Sequence, residues 1–109
     1  MQQFPIIPPI IVSERGDPDI FEFVADAERY LEPYDIDILV AYDSEGRLLR
    51  LLPTEPRITI ESTELTPSHA QALRMVLLKF LKNVRHEDSA LQSKSTVELI
   101  AISLQYKTK

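Results

Sequence analysis

The chain has only two glycines, and the second, Gly46, closes a polar break, Asp43-Ser44-Glu45-Gly46, between two apolar runs. Ile38 to Tyr42 is apolar and partly β-branched, and Leu48 to Leu52 is apolar except for Arg50. An aspartate at the head of such a break accepts hydrogen bonds from backbone amides two residues on, which favours a turn. Gly46 tolerates the positive φ that a type I turn followed by a bulge needs at its last position. An antiparallel hairpin follows, with strands near 38–43 and 47–52. The continuous run Ile38-Leu39-Val40-Ala41 fits a strand that is central or covered on both faces. Upstream, Glu32-Pro33 ends a helix, because proline disfavours α geometry in the residue before it and cannot continue the hydrogen-bond ladder. The chain then turns through Tyr34-Asp35 into the hairpin.

A chain of 109 residues is expected to form one domain, 1–109, with residues 1–9 as an extended lead-in. That length suffices to bury a core without staples. At 44% hydrophobic and 27% charged residues the composition is that of an ordinary globular protein. The absence of cysteine removes disulfides, thiolate metal sites and a cysteine nucleophile. It also fits a cytoplasmic location. No run approaches the length of a membrane span, and the N-terminus lacks the basic region of a secretory signal.

The net charge of −5 is unevenly spread. Residues 1–46 carry eleven acids against Arg15 and Arg29, a net −9, whereas residues 47–109 carry six acids against ten Lys and Arg, a net +4. An acidic half repels nucleic acid, whose binding depends on cations set against phosphates. It attracts a basic partner and speeds encounter with one. The plainer account is a solvated surface whose two halves neutralise each other.

Taken in order, three prolines exclude Met1 to Pro9 from a central strand. Ile10 to Val12 reads as a strand at or near an edge. Arg15-Gly16-Asp17-Pro18 is a turn, and Asp19 to Phe23 a second strand with Ile20 and either Phe21 or Phe23 facing inward. Val24 to Glu32 reads as a short helix with Ala27, Tyr30 and Leu31 on one face. After the central hairpin, Pro53 to Pro56 is a turn. Arg57 to Glu61 alternates cleanly, with Ile58 and Ile60 towards the core. Thr66-Pro67 reads as a helix cap followed by a first-turn proline. The helix, about 67–84, carries Ala70, Leu73, Leu77, Phe80, Leu81 and Val84 on one face and Arg74, Lys79, Lys82 and Arg85 on the other. His86 to Lys94 reads as a loop. The last segment, 96–106, is rich in β-branched residues and competes between strand and helix. Ser95 and Glu98 form a capping box that favours the helix, with Val97, Ile100, Ala101 and Leu104 on its face. The expected fold is α+β: a four- to five-stranded, mainly antiparallel sheet with about three helices packed mostly on one face.

Candidate chemistry is sparse. A histidine metal site needs several converging ligands, and His69 and His86 are the only histidines. Ser44 lies between two acids, but no base is placed beside it and it is in no strained nucleophile turn. Carboxylate pairs such as Glu32 with Asp35, or Asp35 with Asp37, arise by chance in so acidic a stretch. Two glycines make no phosphate-cradling loop. The basic helix face lacks the interleaved aromatics of a nucleic-acid platform. The expectation is a protein without enzymatic activity, cofactor or metal.

Ile20-Phe21-Glu22, Ala25-Asp26-Ala27-Glu28-Arg29-Tyr30-Leu31-Glu32-Pro33 and Val40-Ala41-Tyr42-Asp43-Ser44-Glu45-Gly46-Arg47-Leu48-Leu49 together resemble a group of small bacterial proteins. In these a helix of the form A-E-x-Y-L-E-P leads to a Y-D-x-x-G-R-x-L hairpin. The group is similar to immunity proteins, cytoplasmic partners that neutralise secreted toxins of the contact-dependent or polymorphic kind. The match spans residues 20–49. It implies a stoichiometric inhibitor of a toxin domain, and the charge suits a basic toxin such as a nuclease. Asp26, Glu32, Asp35, Asp37, Asp43 and Glu45 are the expected partner contacts. The alternative is a small regulatory or scaffold domain that homodimerises through a strand edge.

Overall fold

A computed structural model describes residues 4–85 and 89–107. Five strands, β1 (Ile10–Glu14), β2 (Asp17–Phe21), β3 (Leu39–Tyr42), β4 (Leu48–Thr54) and β5 (Arg57–Ser62), form one antiparallel sheet in the order β2-β1-β3-β4-β5. Three α-helices accompany it: α1 (Val24–Tyr30), α2 (Ala70–Arg85) and α3 (Thr96–Lys107). Short 3-10 turns, Pro33–Ile38 and Ser89–Ser93, precede β3 and α3. The fold is α+β, as the alternation and capping signals imply.

The register divides the side chains between two cores. Ile11 lies opposite Ile20 and Tyr42. This face packs under Leu73, Leu77, Phe80 and Leu81 of α2 and Leu99 and Ile100 of α3. On the other face, Ile10, Val12, Ala41, Leu49, Ile58 and Ile60 meet Ala27 of α1 and the following Leu31. Two of the three helices therefore share one side, and the short α1 covers the other. Burial of the Tyr42 phenol raises its pKa above the ordinary value.

β3 is the central strand of the five, one of the two alternatives its apolar run allows, whereas the strand covered on both faces is β1, whose Ile10, Ile11, Val12 and Ser13 are all buried. In β3, Val40 is 42% exposed. The β1–β2 turn puts Arg15 and Gly16 at φ 53° and 94°, the pair of positive values that a two-residue hairpin turn requires. Phe21 packs on the α1 side, while Phe23 falls beyond β2 and is 61% exposed. Past Leu48 the α2–α3 side of the sheet is uncovered and polar. There Arg50 pairs with Glu61 across the strands at 3.3 Å, and the Thr54 and Thr59 hydroxyls lie 2.9 Å apart.

Several boundaries differ from the sequence reading: β2 starts at Asp17 rather than Asp19, α1 ends at Tyr30 rather than Glu32, and β4 runs on to Thr54. The helix expected from 67 starts at Ala70. The Ser68 amide donates to Glu64 Oε2 and the His69 amide to the Gly46 carbonyl, so these residues are held outside the helix by partners that a local cap rule does not include. The capping box at α3 is formed in both directions: the Ser95 amide donates to Glu98 Oε1 at 2.9 Å, and the Glu98 amide to Ser95 Oγ at 3.2 Å. The Ser95 amide, and after it the Ser95 hydroxyl, hold the Glu98 carboxyl below the usual range. The helix presents Leu99, Ile100 and Ser103 to the core, whereas Val97 is 72% exposed and Ala101 is also outside. Ser103 is tolerated there because its hydroxyl donates to the Leu99 carbonyl. In the segment expected as a loop, His86 to Asp88 lie outside the described residues, and Leu91 of the 3-10 turn is buried.

Candidate functional site: an acidic cleft beside the first hairpin

The six acids expected to meet a partner occupy three different places. Asp43 is fully buried. Its Oδ1 accepts from the Glu45 and Arg47 amides at 3.0 and 2.9 Å, and its Oδ2 from the Ile7 amide and Arg47 Nη1 at 3.1 and 3.0 Å. Every donor is internal, so Asp43 is the organiser of the turn and presents no oxygen to a partner. Glu45 is half exposed and holds Arg47 Nη1 at 2.6 Å. Arg47 also donates from Nε to the Leu65 carbonyl at 2.8 Å. Its hydrogen bonds to Asp43 and then Glu45 raise its pKa and keep it charged. This knot ties the lead-in, the hairpin and the loop before α2 together.

Glu32, Asp35 and Asp37 form the second group, along the 3-10 turn Pro33–Ile38. Glu32 and Asp37 are exposed, Asp35 is half-buried, and none of the three makes an ion pair among the described residues. The third place is a cleft that includes Asp26.

Three elements converge there. β2 ends at Phe21, α1 begins two residues beyond Glu22, and the last turn of α3 lies against them. Between them is a cleft of about 400 Å³, lined by Asp19, Phe21, Glu22, Asp26, Tyr30 and Lys107 among others. Three acidic and two aromatic residues thus line one concavity. The Phe21 and Tyr30 rings are 5.4 Å apart at a tilt of 51°. Asp26 is paired with Arg29, and Glu22 makes no ion pair among the described residues. Lys107 reaches in from the other side. Its Nζ is 3.3 Å from Asp17 Oδ1 and 3.9 Å from Asp19 Oδ1, and lies 5.0 Å from the centre of the Phe80 ring. Carboxylates and aromatic faces together stabilise a cation.

Other chemistry is weaker. Ser68 Oγ lies 2.7 Å from both Glu64 Oε1 and His69 Nδ1. The serine is the middle member of that row, whereas an activated nucleophile needs the imidazole between serine and acid. The group instead secures the approach to α2, and the Ser68 hydroxyl bond lowers the Glu64 pKa. Ser44 donates its amide to the Ile7 carbonyl as part of the turn. Among the described residues no three His, Asp or Glu side chains are grouped to hold a metal ion, and no helix is long and apolar enough to cross a membrane.

Asp19, Glu22, Tyr30 and Lys107 were not legible as one site from the sequence. The acidic composition of residues 1–46 signals the first two, but nothing local brings α3 onto β2. Comparison with protein-family models, curated proteins and solved structures finds no match to this chain.

Proposed function

We propose that this chain is a non-enzymatic, cytoplasmic binding protein that neutralises a basic protein domain by forming a stoichiometric complex, as an immunity protein does with its toxin. The observation that carries this reading is the cleft where Asp19, Glu22 and Asp26 open beside two aromatic rings. Asp19, Glu22 and Asp26 belong to the half of the chain with net charge −9. Carboxylates that keep solvent access accelerate encounter with a cationic surface, and aromatic rings add contact area at low entropic cost. Glu32, Asp35 and Asp37 extend the same charge along the following turn. The similarity of residues 20–49 to immunity proteins supplies the biological setting.

The competing reading, a homodimer joined strand to strand, meets two obstacles. The carboxylate of Glu28 accepts from the Ile60 amide of β5 at 2.7 Å, and Pro18 leaves the other edge strand, β2, one donor short.

Co-expression with a candidate toxin domain, sought first among the genes beside this one, tests the proposal. Growth should be rescued, and the purified pair should form a 1:1 complex whose association rate falls steeply as salt rises. A salt-insensitive homodimer that leaves the toxin active would refute it.

A further inference from the structure

We infer that the cleft between β2, α1 and α3 seats one arginine or lysine side chain of the basic partner, and that Lys107 is the chain's own stand-in for that cation. This rests on the proposed function and assigns its contact point. The cleft volume of about 400 Å³ lies within the range of sites that hold small groups, and leaves room for one long side chain. Its walls differ in chemistry. Phe21 and Tyr30 contribute ring surface, and Glu22 and Asp26, the latter paired with Arg29, line the same cleft. A guanidinium matches both, since its planar face stacks on a ring while its edge donates to carboxylates.

Lys107 supplies the independent observation. It is 90 residues away from Asp17 in sequence, yet its ammonium is drawn to Asp17 and Asp19 and over the Phe80 ring, and its side chain is only 18% exposed. Lys107, which lines the cleft, is therefore already held at its margin between carboxylates and an aromatic ring. An incoming side chain meets Glu22 first, and competes with Arg29 for Asp26 and with Lys107 for Asp19. Removing the internal cation should then strengthen binding, the opposite of what a purely structural lysine would do.

The test uses the full chain, ¹H–¹⁵N NMR at low salt, and the tripeptide Gly-Arg-Gly, with the neutral citrulline peptide as control. The arginine peptide should shift the amides of Glu22, Asp26, Tyr30 and Lys107, and the citrulline peptide should not. Glu22→Gln should weaken binding about threefold, and Lys107→Gln should tighten it by a similar factor, as for partly exposed ion pairs. Circular dichroism confirms that each variant remains folded. Equal shifts with citrulline, no shift at the cleft, or unchanged or weaker binding by Lys107→Gln would overturn the inference. Shifts confined to Glu32, Asp35 and Asp37 would overturn it too, while leaving the basic partner in place. Rescue by co-expression reports on that wider reading separately.

Discussion

Replacing Asp43 by asparagine changes one atom and should cost most of what removing the side chain costs. Both carboxylate oxygens face donors only: two backbone amides on Oδ1, and one amide and the Arg47 guanidinium on Oδ2. An asparagine has one acceptor oxygen, so whichever way its amide is flipped, an NH2 group faces two N–H donors. Two hydrogen bonds are lost. Each is charge-assisted and worth about 1.5–3 kcal/mol in a setting closed to water. Glu45 continues to pair with Arg47, which limits the damage. The expected loss is about 3–5 kcal/mol, in line with breaking a buried ion pair. Against a typical stability of about 5–15 kcal/mol, that lowers Tm by at least about 12 °C. Urea melts followed by circular dichroism give the number, with Ser44→Ala as a control for the turn. An Asp43→Asn protein within about 1 kcal/mol of wild type, at unchanged m-value, would refute the assignment of all four bonds.

The two glycines should respond differently to alanine. At Gly46, φ is +96° and an added Cβ would lie 2.3 Å from the Ala70 Cα, so Gly46→Ala should displace the start of α2 and cost several kcal/mol, about 3 or more. At Gly16, φ is +94° but no atom lies within 4 Å, so Gly16→Ala should cost only the backbone strain, about 1–2 kcal/mol; equal Tm losses would contradict this. Glu98→Gln tests the α3 cap by pH. Because the folded carboxyl titrates below its ordinary value, its contribution is complete above the unfolded pKa of about 4.3 and is lost as pH falls through the lower folded value. The gap in urea midpoint between wild type and Glu98→Gln should therefore be widest near neutrality and close in acid. A gap independent of pH would show that the charge of Glu98 contributes nothing.

Short-range signals carried the fold a long way. The Asp43-to-Gly46 turn, the alternation around Ile58 and Ile60, and the Ser95–Glu98 box each rest on partners within a few residues, and each stands as read. What the sequence concealed depends on distant partners. Asp43 looks the same in a turn whether water or Arg47 lies behind it, so its burial could not be foreseen. Thr66-Pro67 has the form of a helix start, but the Gly46 carbonyl claims the His69 amide and delays the first turn. Along α3 the apolar residues lie nearly all round the helix, so periodicity could not choose between the faces of Val97 and Leu99. The cleft is the extreme case, since its acids come from β2 and α1 and its lysine from the far end of the chain.

The position of β1 has a consequence for the order in which the molecule assembles. The first of the described strands in chain order ends up in the least accessible place, with neighbours on both edges and cores on both faces. Only β2 can pair with it at once. Its second flank stays open until β3 emerges, and one of its faces stays wet until the two long helices have left the ribosome. Ile10 to Val12 is thus a hydrophobic segment whose partners arrive later in the chain, and in the finished protein its amides should be the last to exchange with deuterium.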